Sequence, residues 1–503
     1  MLSLKNYRRA AVPVLAIQTP DPADVLRIAL KEANGNPLLQ WDCMRGIIPA
    51  DPDCSLSKSI ADQLNQNQDS SIATGNPIEF LRAIELLKNG MISIKESPIV
   101  VALGLAEILS ESDQTGIQAR QAVWNLRDVF STIRTILVFT VPIGWTNPFP
   151  NDIAVAVMEL PTADDHIKIC DKICDSAKLP EDKRPTADEL VKIGDSLLGV
   201  SGFASEQSLA LSVSKNGIDL ESLRTRKRQQ IAETAGLSVY TGKETFQDIG
   251  GCDQAKKLFR AYLNGLAKPG AIIFIDEIEK FFSNGDSGDS GVSKALLAYI
   301  LTYMQDIGAT GIIFVGPPGA AKSAIGKAVG NEGGIPTIPL DMGAIKAGIV
   351  GESEGRMRNA FSVISSISGN KPFFVATCNK VKNIPPELKR RFTLGTMFFD
   401  LPDTTERETI WKIYTEKYNL PEQSLPDSDG WTGAEIRQCC DLAYRLGLSL
   451  IESSEYVVPV SVSAREVINT LRTEASGRYL SASQPGVYTY GKTGAMKTRN
   501  VSL

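Results

Sequence analysis

The stretch AIIFIDEIEK, residues 271–280, is an apolar run that ends in two adjacent acids. A short apolar run bounded by charge is the pattern of a central parallel strand, which is covered on both faces. Its last residues then lie at the carboxyl edge of a sheet, where open α/β sheets bind ligands. Asp276 and Glu277 are therefore expected at such an edge. A second string, GPPGAAKS at 316–323, follows the apolar run GIIFV and opens the helical pattern SAIGKAVG. In it Gly316 and Gly319 let backbone N–H groups wrap a phosphate, with Pro317, Pro318, Ala320 and Ala321 completing the loop. Lys322 adds a compact positive charge, and the Ser323 hydroxyl is suited to ligate magnesium. The helix that begins there adds its dipole.

The two strings are complementary. Asp276 would hold magnesium through water, and Glu277 would orient and polarise an attacking water. Their order is unusual, because the phosphate loop ordinarily comes first. In an open parallel sheet, however, spatial order need not follow chain order, so both strings can meet in one site. One loop position is off pattern: Ala321 stands where the motif has its second glycine, and a methyl group there crowds or reshapes the approach to phosphate.

The whole chain has 503 residues, more than one hydrophobic core usually serves, with 43% hydrophobic and 22% charged residues and a net charge of −5. That is the composition of a globular protein of two to four domains, and it argues against a chain that coats itself with nucleic acid. The eight cysteines are scattered, without a C-x-x-C, and do not form a disulfide framework. The single histidine, His166, leaves almost no material for Ser-His-Asp catalysis or His-based zinc sites and is read as a surface residue. The N-terminal run AAVPVLAI is short, contains Pro13 and leads into polar TPDP, so it reads as a buried strand rather than a signal peptide. No run approaches the roughly eighteen apolar residues of a membrane span, and the expected location is cytoplasmic.

Residues 1–160 alternate apolar runs (VPVLAI, PIVVALGLAEIL, RTILVFTVPI, DIAVAVMEL) with helical patterns, which predicts an α/β layer with a parallel sheet and no phosphate loop. Residues 161–244 turn helical and charged, a subdomain and connector whose basic run Arg224, Arg226, Lys227 and Arg228 reads as a solvated face. Residues 245–402 supply the strands AIIFID, GIIFVG, PFFVAT and GTMFFDLP. A helical segment, 403–482, opens with Asp403 and Glu406 in capping-box register, and 483–503 reads as a mobile tail.

The strings FQDIGG, GPPGAAKS, IVGESEGRMR, FFVATCNK and PPELKRRF closely resemble the AAA+ ATPase pattern, in that family's order. Only the block from AIIFIDEIEK through GDSGDSGVSKALLAYILTYMQD is moved ahead of the phosphate loop. In the family it lies between GESEGRMR and FFVATCN. The resemblance extends to the plastid and cyanobacterial open-reading-frame AAA proteins, which share the DEIEK and GDSG strings and carry a degenerate ATPase-like N-terminal half. It is specific over residues 245–450. It implies a P-loop NTPase module with a parallel sheet and a helical lid, preceded by a degenerate α/β domain.

The resemblance also implies roles. Asn379 resembles the sensor that contacts the γ-phosphate or the attacking water. Arg390 and Arg391 resemble arginine fingers that complete a neighbouring subunit's site, which implies a homo-oligomer, typically a hexamer. Arg437, in WTGAEIRQCC, is near the place of a second sensor arginine in the lid. IKAGIVGESE resembles a pore loop, with Ile349 and Val350 in place of the aromatic that grips polypeptide. The implied activity is magnesium-dependent ATP hydrolysis that remodels a macromolecular partner, a protein rather than nucleic acid. A nucleotide-binding switch or scaffold with little hydrolysis and a nucleic-acid remodeller of the clamp-loader or initiator type are the alternatives. GDSGDSG reads as a spacer.

Overall fold

A computed structural model describes the chain except residues 1–2, 34, 67–72, 90–96, 143–144, 146, 150–151, 215–216, 283–289, 347–351, 381–383 and 491–503. The chain divides into two compact units, residues 1–227 with 354–362 and residues 228–353 with 363–503.

In the first unit the apolar runs become strands β1 (Val14–Gln18), β2 (Leu38–Asp42), β3 (Gly46–Pro49), β4 (Ile99–Ala102), β5 (Ile136–Val141) and β6 (Ala154–Val157), in the spatial order β3-β2-β4-β5-β1-β6. Every pairing is parallel except the β2–β3 hairpin. Both faces are covered, which is why β1 is apolar at successive positions: Val14 and Ala16 enter one core with Trp41, Phe80 and Phe139, while Leu15 and Ile17 enter the other with Val25 and Val138. Helices Ala163–Ser176, Ala187–Leu197 and Gly202–Ser212 follow and share a core around Cys170, Cys174, Ile193 and Leu209. His166 lies inside this helical part, fully buried, with Nδ1 2.9 Å from the Ser205 hydroxyl. The expectation of a surface histidine is corrected: position 166 falls on the inward stripe of an amphipathic helix with Cys170 and Cys174. A short hairpin, β7 (Val213–Ser214) with β8 (Gly217–Ile218), precedes helix Leu220–Ala232, which carries the basic run.

The second unit has β9 (Ala271–Ile275), β10 (Thr310–Val315), β11 (Thr337–Pro339), β12 (Pro372–Cys378), β13 (Thr396–Phe398) and β14 (Leu480–Ser481), all parallel, in the spatial order β11-β9-β12-β10-β13-β14. Ile272, Phe274, Ile312, Phe314, Phe373 and Val375 pack one face against helices Asp253–Leu263 and Lys322–Gly333. The helical segment Thr404–Lys417, Gly433–Leu446 and Leu450–Ser454 has its own core of Ile410, Trp411, Trp431 and Ile436. The Asp403–Glu406 capping box is formed.

The two sheets are one arrangement visited in different orders. With the spatial positions of β2-β4-β5-β1-β6 numbered one to five, the chain visits them as 4-1-2-3-5. The corresponding β11-β9-β12-β10-β13 set is visited as 2-4-1-3-5. Moving β9 to a place between β11 and β12 would make the two orders identical. The early strand thus takes its proper place in the sheet despite its displaced position in the chain.

Residues 483–490 of the expected tail make defined contacts. Within it, Tyr488 donates its hydroxyl to Asp400 at 2.6 Å, and the carbonyl of the preceding Ala482 accepts the N–H groups of Gln254 and Ala255 at 2.9 and 3.0 Å. These groups satisfy orphan donors at the start of helix Asp253–Leu263, which gives the segment a fixed place. Residues 491–503 lie outside the described residues.

Candidate nucleotide site

Because β9, β12 and β10 are adjacent and parallel, their carboxyl ends bring three distant pieces of chain together. Ser323, in the first turn after β10, donates its hydroxyl to Asp276 Oδ1 at 2.8 Å. Thr377, on β12, donates to the same oxygen at 2.5 Å and accepts the Glu277 N–H at 2.8 Å. Glu277 needs that anchor, since its φ of +49° lies in the left-handed region, which costs an L-residue about 1–2 kcal/mol. Asn379 Nδ2 donates to Glu277 Oε1 at 3.3 Å, and Lys280 forms an ion pair with the other oxygen.

The phosphate loop is held from beneath. Lys322, almost fully buried, donates to the carbonyls of Gly316 and Pro317 at 2.8 and 2.7 Å. Burial pushes its pKa down to about 8, against the opposing charges of Glu279 and Asp276. A Cβ on Gly316 would collide with the Phe399 carbonyl, and one on Gly319 would stand 2.7 Å from the Thr432 hydroxyl. Both positions are a cradle only glycine fits. Ala321 adopts φ 63° and ψ 7°, the conformation expected of a glycine, so its methyl strains the loop without changing its path.

These groups surround one cavity of about 380 Å³. Asp276, Glu277, Asn379 and the loop residues Pro318–Ser323 line one side, and Arg437, Ile410 and Tyr414 of the helical segment line another. Arg437 is exposed on helix Gly433–Leu446, and its pKa is raised, chiefly by a hydrogen bond with Tyr418. The third wall is Ile249–Cys252, which is pinned to the helical segment: Cys252 N–H donates to Glu406 Oε1 at 3.0 Å, and a Cβ on Gly250 would meet Ile410 at 2.5 Å. Burial pushes the Cys252 thiol up to about 12, so it stays protonated and inert. Asp400, which also lines the cavity, is held by Arg472 at 2.8 Å and by Tyr488.

Arg390 and Arg391 are not part of this constellation. They end helix Pro386–Arg391, outside the cavity lining, with Arg390 exposed and Arg391 donating to Gln305 at 2.6 Å. Ile349, Val350 and most of GDSGDSG lie outside the described residues. Thr377, Glu406, Asp400 and Ser483 are cavity residues that sequence reasoning missed. The FQDIGG string was the only signal for the third wall, whereas a threonine inside an apolar strand gave none.

The donor set fits magnesium: a hydroxyl and a carboxylate already aligned at hydrogen-bond distance beside a buried lysine are the oxygen ligands this cation takes. Among the described residues no helix is long and apolar enough to cross a membrane.

The family model described as "ATPase family associated with various cellular activities (AAA)" matches residues 312–369. An AAA domain-containing protein, ycf46, of Guillardia theta is 24% identical over 547 aligned positions, covering 95% of each chain. The ycf46 protein of Pyropia yezoensis is 28% identical over 53% of this chain and 60% of its own. That of Trieres chinensis is 30% identical over 25% of this chain and 35% of its own.

Proposed function

We propose that this chain, an AAA-domain protein similar along its length to the plastid ycf46 proteins, is a magnesium-dependent ATPase that works as a cytoplasmic homo-oligomer and remodels a protein partner. The observation that carries the reading is the meeting of Ser323, Asp276, Glu277 and Asn379 around the phosphate loop, from segments far apart in the chain.

In this reading the loop N–H groups and Lys322 bind the phosphates, and Arg437 reaches them from the helical segment. Ser323 and Asp276 would hold magnesium, which when bound neutralises charge on the transferred phosphoryl group. Glu277 accepts a hydrogen bond from the attacking water and aims it, and Asn379 fixes the Glu277 carboxylate. Arg390 and Arg391, which do not line their own cavity, would complete the site of a neighbouring copy in a ring, typically of six. The test is ATP turnover by the purified protein beside Glu277→Gln, with nucleotide binding and particle size followed in parallel. The reading expects wild-type turnover, and a variant that binds ATP and turns over at least about 100-fold more slowly. Equal rates in the two proteins refute it.

A second reading, a nucleotide-controlled switch, is favoured by one observation: Lys280 and Asn379 already occupy the two oxygens of Glu277. Binding without product in the wild type would select it.

A further inference from the structure

Glu279 has no part in the mechanism above, yet it is a buried carboxylate, 5% exposed, directly behind the site. Its Oε1 accepts the backbone N–H of Asn379 at 2.9 Å. The side chain of that same residue reaches Glu277 Oε1 at 3.3 Å. The three are linked in one direction, from a carboxylate that opens the short helix Glu279–Phe282 after β9, through the residue that follows β12, back to the carboxylate that aims water. A hydrogen bond to a charged acceptor is worth about 1.5–3 kcal/mol, and a buried carboxylate persists only where partners compensate it, here the Cys378 thiol and the charge of Lys322 nearby.

We propose that Glu279 is a positioning residue for ATP turnover, fixing the Asn379 backbone so that the Asn379 amide holds Glu277 in line. This rests on the ATPase reading for its kinetic consequence but not for its structural one. Glu279→Gln keeps an oxygen acceptor at the same place, and Glu279→Ala removes it. The expected result is kcat within about threefold of wild type in the Gln variant and at least about tenfold lower in the Ala variant, with KM for ATP changed less than about twofold. Because Glu279 acts through Asn379, Glu279→Ala should add little to Asn379→Ala, less than about twofold in kcat. A rise in KM with kcat intact, or full additivity with Asn379→Ala, overturns the proposal. Hydrogen exchange at the Asn379 amide reads the same anchor without turnover. It should be slow in wild type and Glu279→Gln and at least about tenfold faster in Glu279→Ala. Equal exchange in all three overturns the proposal even in a protein that only binds ATP, whereas absent turnover with the expected exchange pattern sinks the ATPase reading alone.

A different observation, in the first unit, carries a second inference. Strand β1 occupies the sheet position of β10, and the helix after it, Pro22–Ala33, the place of helix Lys322–Gly333. Between them stands QTPDP, with Asp21 buried at 6% exposure where the other unit has its lysine loop. Asp21 Oδ1 accepts the Ala23 N–H and Oδ2 the Phe203 N–H, each at 3.1 Å. Phe203 lies in the first turn of helix Gly202–Ser212, whose Ser-Gly start parallels the Thr432-Gly433 start of helix Gly433–Leu446. Four residues beyond the glycine, Arg437 in one helix corresponds to Glu206 in the other, and Glu206 pairs with Arg27 at 3.0 Å. The charges are reversed, and the chain's own carboxylate lies where two helix N-termini converge.

We infer that Asp21 substitutes for a nucleotide phosphate in the first unit and holds helix Gly202–Ser212 closed without ligand. The full chain should bind one ATP and Lys322→Ala none; a nucleotide retained by Lys322→Ala overturns the inference. In Asp21→Ala, amide exchange at Phe203 and the following turn should rise at least about tenfold and stay high when ATP is added. Unchanged exchange, or protection restored by ATP, is the contrary result.

Discussion

In the proposed ATP site, Lys322 is expected to make ATP affinity a titration with a predictable midpoint. Burial lowers its pKa to about 8 in the nucleotide-free protein. In that proposal the cationic form holds the nucleotide phosphate, so raising the pH through 8 should remove the charge and weaken binding. The protonated fraction is about 0.9 at pH 7 and about 0.1 at pH 9, and apparent affinity scales with the competent fraction, giving about tenfold weaker binding, or about 1.4 kcal/mol. The proton count provides an independent reading: each ATP bound at pH 9 should take up about 0.9 proton, against about 0.1 at pH 7. Intrinsic stability moves the other way. The unfolded lysine keeps its ordinary value of 10.5, so between pH 8 and 10.5 the unfolded chain holds the extra proton. The destabilisation from burying the charge, on the order of 3 kcal/mol, is relieved over that window as pH rises. Isothermal titration calorimetry in buffers of different ionisation enthalpy gives affinity and proton uptake together. Lys322→Arg stays charged, so its weaker binding should not vary between pH 7 and 9 beyond the titration of ATP itself. Flat wild-type affinity, or the same decline in Lys322→Arg, would refute the assignment of the titration to this lysine.

Three further outcomes follow from named contacts. Thr377→Val preserves shape but leaves the Glu277 N–H without its acceptor and removes one of the two hydroxyl donors to Asp276, Ser323 remaining; kcat should fall at least about tenfold and stability by about 1–3 kcal/mol, by turnover and denaturant titration. Gly250→Val forces a side chain against Ile410, 2.5 Å from the first atom added, and should weaken ATP binding severalfold by displacing helix Thr404–Lys417, at a stability cost of about 1–3 kcal/mol. Unchanged affinity in that variant would mean that the third wall does not touch the nucleotide. Tyr488→Phe removes one donor to Asp400 while Arg472 remains; a loss of about 1–2 kcal/mol is expected, and faster exchange at Gln254 and Ala255 should accompany it if the terminal segment is fixed by this contact.

Much of this protein is determined by local sequence. Apolar runs covered on both faces, such as AIIFI and FFVAT, leave a chain few options but central strands, and GPPGAAKS demands backbone that only its glycines and a strained Ala321 supply. Short pieces were not legible: β11, β14 and the β2–β3 hairpin carry too few residues for a period, and neighbours in the sheet decide their pairing. The burial of His166 is not legible from the residue itself, because the inward face of its helix is set by the helices that pack on it.

The site itself belongs to the tertiary structure. Asp276 and Ser323 are 47 positions apart and in reversed order, and they meet because hydrogen bonding in a parallel sheet fixes a strand by its neighbours, not by its turn in the chain. Thr377 and Glu279 gain roles only when β12 lies between β9 and β10, and the terminal segment gains a place only when Asp400 faces Tyr488. Residue chemistry therefore marks a candidate phosphate loop and its acids in the sequence itself, and the order of strands selects the residues that stand within hydrogen-bond reach of them.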